Sequence, residues 1–143
     1  MIPRLMILLF AAASCAGCEF TFPGRPSDFP TAVVEGKIVM DGKPLPAGGR
    51  GWVSFFPEGA SRGDVSVCRL KADGVFRCDR VPVGPVNVRI DVAPNVAAIM
   101  SPIVRRRLIL LRGPASPLRL TTSEGAVTRF DFDLTLSPDP PRS

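Results

Sequence analysis

The 143-residue chain has no histidine and no tyrosine. Without an imidazole there is no Ser–His or Cys–His nucleophile pair and no His-ligated zinc site. No apolar run reaches the roughly 20 residues that a helix needs to cross a bilayer. There is no internal repeat and no low-complexity stretch. Hydrophobic residues make up 45% and charged residues 22%, ordinary values for a folded protein. Glycine (13) and proline (16) are abundant. Together they form about a fifth of the chain, above the usual ~12% and below the ~25–30% that marks disorder. This balance predicts short strands separated by many turns. It points to no enzyme and no cofactor.

The first residues read as an export signal. Arg4 supplies a positive start, and Leu5–Ala13 is an apolar stretch of nine residues. That length suits a secretory h-region and is too short to span. Ala16-Gly17-Cys18 follows and resembles the lipobox of bacterial lipoproteins. The resemblance implies a signal peptide over 1–17, lipid attachment at Cys18 and a tether over 18–31. Cys15 stands where the family usually has an aliphatic residue. Cys15, after Ala12-Ala13-Ser14, is the alternative lipidation site, and a plain secretory signal cleaved near Ala13 or Gly17 is the other reading. Acyl chains contribute ~0.8 kcal/mol per buried CH₂, and two or more anchor a protein stably. The implied location is outside the cytoplasm on a bacterial membrane, at the periplasmic or cell-surface face. The tether is rich in proline, and its Phe20, Phe22 and Phe29 are expected to dock on the domain, with a place near the membrane interface as the other reading.

From Ala32 onward apolar residues alternate with polar ones, the period of a half-buried strand. Val34, Ile38 and Met40 alternate with Glu35, Lys37 and Val39, with Gly36 at a close approach. Asp41-Gly42-Lys43-Pro44 is a turn signal. Val53 and Phe55, Val65–Lys71 and Val75–Asp79 come next. Val86, Val88, Ile90 and Val92 form the cleanest alternation. Leu118 with Leu120, and Phe130, Phe132 and Leu134, complete seven strands. The expectation is an all-β, seven-stranded antiparallel sandwich over 32–136, with a disordered tail over 137–143. Residues 94–113 are ambiguous. Val104–Arg112 fits a short helix or an edge strand equally well.

Cys68 and Cys78 flank Ala72-Asp73-Gly74. A three-residue hairpin loop with glycine in its last place pairs Lys71 with Val75, Leu70 with Phe76 and Cys68 with Cys78. Two cysteines directly opposite in such a pair lie within disulfide reach. The other reading is two buried free thiols.

The stretches VEGKIVMDGKPLPAGGRGWVSFFP (34–57) and DGVFRCDRVPVGPVNVRIDV (73–92) resemble the carboxypeptidase regulatory-like, or transthyretin-like, domain family. Gly36, Asp41-Gly42-Lys43-Pro44-Leu45, Val53, Phe55, Pro57, Asp73, Gly74, Phe76, Val81-Pro82 and Gly84 carry the likeness. It implies a prealbumin-like (Ig-like) β-sandwich and says little about function. Some related surface domains carry a Lys–Asn or Lys–Asp isopeptide bond. Lys37 and Asp131 would be the partners here, but both alternate with apolar residues and read as a solvated pair.

Net charge is +5 at neutral pH. The densest basic cluster is Arg105-Arg106-Arg107 with Arg112. It suits anionic headgroups or an acidic envelope polymer, or it protects a sheet edge from pairing. No aromatic residues interleave it as a nucleic-acid stacking site requires. Asp131 and Asp133 could share a cation, although two carboxylates fall short of the shell that Ca²⁺ takes. Trp52, beside Gly48-Gly49-Arg50-Gly51, could stack on a sugar ring. The leading expectation is a lipid-anchored envelope protein with a non-catalytic structural or protein-interaction domain, its partner an envelope protein or glycan. The alternative is a carbohydrate- or small-ligand-binding module centred on Trp52.

Overall fold

A computed structural model describes residues 29–45 and 50–135. The expected signal peptide, Cys15, Cys18, the tether up to residue 28 and the 137–143 tail lie outside the described residues. Seven strands form in chain order: β1 (Thr31–Val39), β2 (Gly51–Pro57), β3 (Ser66–Arg69), β4 (Val75–Pro82), β5 (Gly84–Val92), β6 (Arg119–Thr122) and β7 (Val127–Asp133). Two helices, α1 (Pro94–Ala98) and α2 (Pro102–Leu111), connect β5 to β6. The strands make a three-stranded sheet ordered β4-β1-β7 and a four-stranded sheet ordered β3-β2-β5-β6, arranged as a sandwich.

Alternation in the sequence becomes alternation in burial. Ala32, Val34, Gly36 and Ile38 of β1 are buried while their neighbours are half-exposed. Val53 and Phe55 of β2 and Val86, Val88 and Ile90 of β5 meet them from the other sheet, all fully buried. Phe55 and Phe76 approach across the core with ring centroids 6.2 Å apart. Each such fully buried side chain contributes roughly 1.5–3 kcal/mol relative to exposure. Phe130 and Phe132 also face inward, but they are only partly buried because β7 is an edge strand.

Gly36 is the close approach that its place in the pattern predicts. A Cβ there would run into the backbone carbonyl of Phe130, which stands opposite in the β1–β7 ladder. The Asp41-Gly42 turn closes on Met40 and Lys43, which exchange backbone hydrogen bonds of 2.8 and 3.1 Å. Both central residues have positive φ, 53° and 68°. This is the turn that matches the twist of its flanking strands and that Asp-Gly favours.

The sandwich is not antiparallel throughout. β7 runs parallel to β1, with Gly36 opposite Phe130 and Lys37 opposite Asp131. The cause is the turn after β6. β6 is antiparallel to β5 in the larger sheet. The turn Ser123–Ala126, closed by Ala126 N–H to the Ser123 carbonyl at 3.2 Å, carries the chain across to the smaller sheet. There the reversed strand lands beside β1, which already runs the same way.

The cysteines meet by another route than a continuous hairpin. The loop closes as expected: Lys71 N–H bonds the Val75 carbonyl at 2.8 Å, and Gly74 has φ 82°. Beyond that pair the strands part. Leu70 N–H turns to the Gly51 carbonyl, and Phe76 pairs with Gly36. β3 joins β2 while β4 joins β1, so Cys68 and Cys78 face one another from different sheets. Their Cα atoms are 5.7 Å apart, at disulfide distance. β3 and β4 are the edge strands on the same side, so the cysteines clasp that edge of the sandwich.

Within 94–113, residues 94–98 and 102–111 are helical. Pro94 and Pro102 stand at helix starts, where a missing N–H costs nothing, and the Ser101 hydroxyl caps α2 by accepting from Val104 N–H. Val104, Leu108 and Leu111, spaced four and three apart, bury one stripe in the core. Arg107 of α2 donates to the carbonyls of Leu134, at 3.1 Å, and Thr135, just beyond β7. The helix thus packs between the ends of β5 and β7, on the side away from the cysteines.

The clasp between Cys68 and Cys78 is testable. Peptide mapping after thiol labelling of unfolded, unreduced protein should leave both unlabelled, and two labelled thiols would disprove the bond. Cys78→Ser should lower the unfolding free energy by about 2–3 kcal/mol in a denaturant titration.

Candidate functional site

The two poles of the sandwich differ. At one pole the chain comes in at Thr31, opposite Pro82, and the β4–β5 connection crosses between the sheets. Phe29, 47% exposed, lies there against Gly63. Buried hydroxyls tie this pole together: Ser61 donates to the Val83 carbonyl and Thr122 to that of Pro82, each at 2.6 Å. A hollow of about 270 Å³ between Pro30, Asp64 and Arg80 borders the incoming chain.

The opposite pole holds the start of β2, the end of β5 and both helices. Trp52 stands on the outer face of the larger sheet, in register with Asp91 of β5 and Arg69 of β3. Beyond it α1 and α2 rise, and a cleft of about 470 Å³ opens between them and Trp52. Val92, Ala97 and Leu108 give it apolar walls, and Asp91, Arg105 and Arg112 supply its charges. Arg105 and Arg112 are two helical turns apart, so they line one side of α2 about 10.5 Å from each other along its axis. Among the described residues neither has an ion-pair partner. Arg77, Arg119 and Arg129, in contrast, are paired with Glu35 and Asp79, with Glu58 and with Asp131. Asp91 accepts from Val92 N–H with one oxygen at 2.9 Å.

Two features that are separate in the sequence, Trp52 and the arginine cluster, therefore share one cleft. The cluster is not on an edge strand. It lies on α2, because the burial of Val104, Leu108 and Leu111 makes this segment a helix. Arg107 serves the fold, and Arg105, Arg106 and Arg112 are exposed. The 46–49 part of the loop beside Trp52 lies outside the described residues.

Sequence reasoning overlooked the apolar share of this pole. Ile99, Ile103 and Ile109 are each more than 60% exposed. The signal was available: from Val92 to Ser123 the chain has five arginines and no acidic residue.

Asp131 and Asp133 do not form a shared cation site. Asp131 bonds Arg129 Nε at 2.7 Å. Asp133 grips the Asp41-Gly42 turn, accepting from the two backbone N–H groups at 2.9 and 2.7 Å. It also accepts from the backbone N–H and hydroxyl of Thr135 at 2.9 and 2.6 Å. Partial burial pushes its acidity the other way, but these four hydrogen bonds prevail and lower its pKa to about 2. Lys37 and Asp131 are register partners on the outer face of the smaller sheet, where no apolar burial activates an amine. Among the described residues no group of three or more Cys, Asp or Glu side chains converges on a metal position.

No protein-family model matches the chain, and no curated protein or solved structure is significantly similar to it.

The Asp133 clamp predicts an acid limb. A carboxylate held near 2 in the folded state and near 3.9 when unfolded stabilises the fold above about pH 4. That contribution is lost as pH falls from there through about 2. Thermal unfolding of Asp133→Asn should show lower stability at neutral pH and a shallower fall between pH 4 and 2. Parallel curves for the two proteins would refute the clamp.

Proposed function

We propose that this chain is an exported, lipid-anchored cell-envelope protein whose prealbumin-like sandwich serves as a non-catalytic interaction module. Attachment is through Cys18, with Cys15 as the lesser alternative. The motif likeness over 34–57 and 73–92 and the two-sheet arrangement of seven strands support the fold assignment.

One observation carries the reading: the sandwich is polar end to end. The chain comes in at the Thr31 pole, where Phe29, Val65 and Val127 are exposed, whereas Trp52, Ile99, Ile103 and Ile109 gather at the other with Arg105 and Arg112. β1 spans nine residues between the two. At about 3.3 Å per residue it sets them some 30 Å apart. In a protein tethered through its N-terminus the Trp52 pole is the end of the domain farther from where the tether joins it. Exposed apolar side chains rimmed by charge are the mark of a contact surface. The cleft beside Trp52 favours a second reading, a carbohydrate- or small-ligand-binding module at the same pole.

Two measurements test the proposal. Palmitate labelling should vanish in Cys18→Ala and persist in Cys15→Ala; the opposite pattern would move the anchor. A photo-crosslinker at Ile103 should capture a reproducible envelope partner in intact membranes, and one at Val127 should not. Equal capture at both positions would refute the polar arrangement.

A further inference from the structure

We infer that the cleft between Trp52 and α2 binds an anionic saccharide, with the ring on Trp52 and its acidic groups on Arg105 and Arg112. The inference rests on the second reading above and specifies its ligand.

The first argument is the aromatic side chain. Trp52 is the only tryptophan in the chain, and it is 38% exposed at the mouth of a cleft instead of buried in the core. An indole placed there offers a flat apolar face with a polar edge, suited to the C–H face of a sugar. The walls from Val92, Ala97 and Leu108 continue that apolar surface.

The second argument is charge. Arg105 and Arg112 are exposed without ion-pair partners among the described residues, on one side of a helix, in a 32-residue stretch with no acid. A guanidinium fork matches carboxylate, sulfate and phosphate groups through paired hydrogen bonds. Two forks carried on backbone positions about 10.5 Å apart along the helix suit a ligand with repeated negative charges. Asp91, the one acid of the cleft, has an oxygen left to accept from a sugar hydroxyl.

Shape separates this ligand from an anionic bilayer. A lipid surface is broad and would meet the more exposed Ile103 and Ile109 before Trp52, which stands at the cleft. A narrow chain of sugars fits into the cleft. The pole also lies away from the end at which the chain comes in.

The single tryptophan makes a direct test. Full-length protein in detergent is titrated with tetragalacturonate, a sulfated tetrasaccharide, neutral cellotetraose, and phosphatidylglycerol vesicles, following Trp52 emission and its protection from acrylamide. An acidic saccharide should change the emission and bind about tenfold or more tightly than cellotetraose, with a preference that added salt erodes. Arg105→Gln/Arg112→Gln should abolish that preference. Trp52→Ala, followed by calorimetry, should lose binding of both kinds. All three positions are exposed, so the variants retain the fold. Equal affinity for acidic and neutral saccharides would overturn the charge inference and leave the carbohydrate reading intact. Silence to every saccharide would overturn both. A response to vesicles alone would assign the pole to a lipid surface instead.

Discussion

The fold depends on how closely β7 lies against β1. β1 is the middle strand of the smaller sheet, and half of its residues face the core. At Gly36 the partner backbone comes so near that no side chain fits between them. That absence lets β7 seat in register, which brings Phe130 and Phe132 over the core and delivers Asp133 to the Asp41-Gly42 turn. One missing methyl group thus links strand pairing, core cover and turn geometry.

A two-sheet sandwich has two open sides, and this chain closes them by different means. On one side the short β3 and the longer β4 bring Cys68 and Cys78 to disulfide distance. On the other, β6 covers only the first half of β5, and α2 packs by the second half. The helix buries Val104, Leu108 and Leu111 to do so and anchors Arg107 on the end of β7. Its outer surface is then left over. The cleft beside Trp52 is a by-product of filling this edge with a helix instead of a strand, since a strand would have continued the sheet.

Buried polar groups follow the same economy. Asn87 sits on the outer face of β5 yet is buried, because residues 113–118 fold over it. Its amide donates to the carbonyls of Ser116 and Leu118, and the Ser116 hydroxyl returns a bond to the Val88 carbonyl at 2.6 Å. These bonds satisfy backbone groups that the short β6 cannot pair. Among the described residues no buried side-chain nitrogen or oxygen lacks a partner.

The sequence by itself determined the seven strands, the inward residues of β1, β2, β5 and β7, the close approach at Gly36 and the left-handed Gly74. All of these are local: period-two alternation and turn chemistry act over a few neighbours. Only the tertiary structure decided which strand joins which sheet. Cys68 and Cys78 look like a hairpin pair over ten residues of chain, but the ladders offered by β2 and β1 draw their strands apart. The direction of β7 was equally hidden, since it follows from a turn that crosses between sheets. The 102–111 segment was undecided because Leu108-Ile109-Leu110-Leu111 is apolar at every position and shows no period. The space beside β5 settled it as a helix. That choice placed Trp52 and two arginines, distant by more than fifty residues, in one cleft, because long-range packing and not local pattern sets which side chains share a surface.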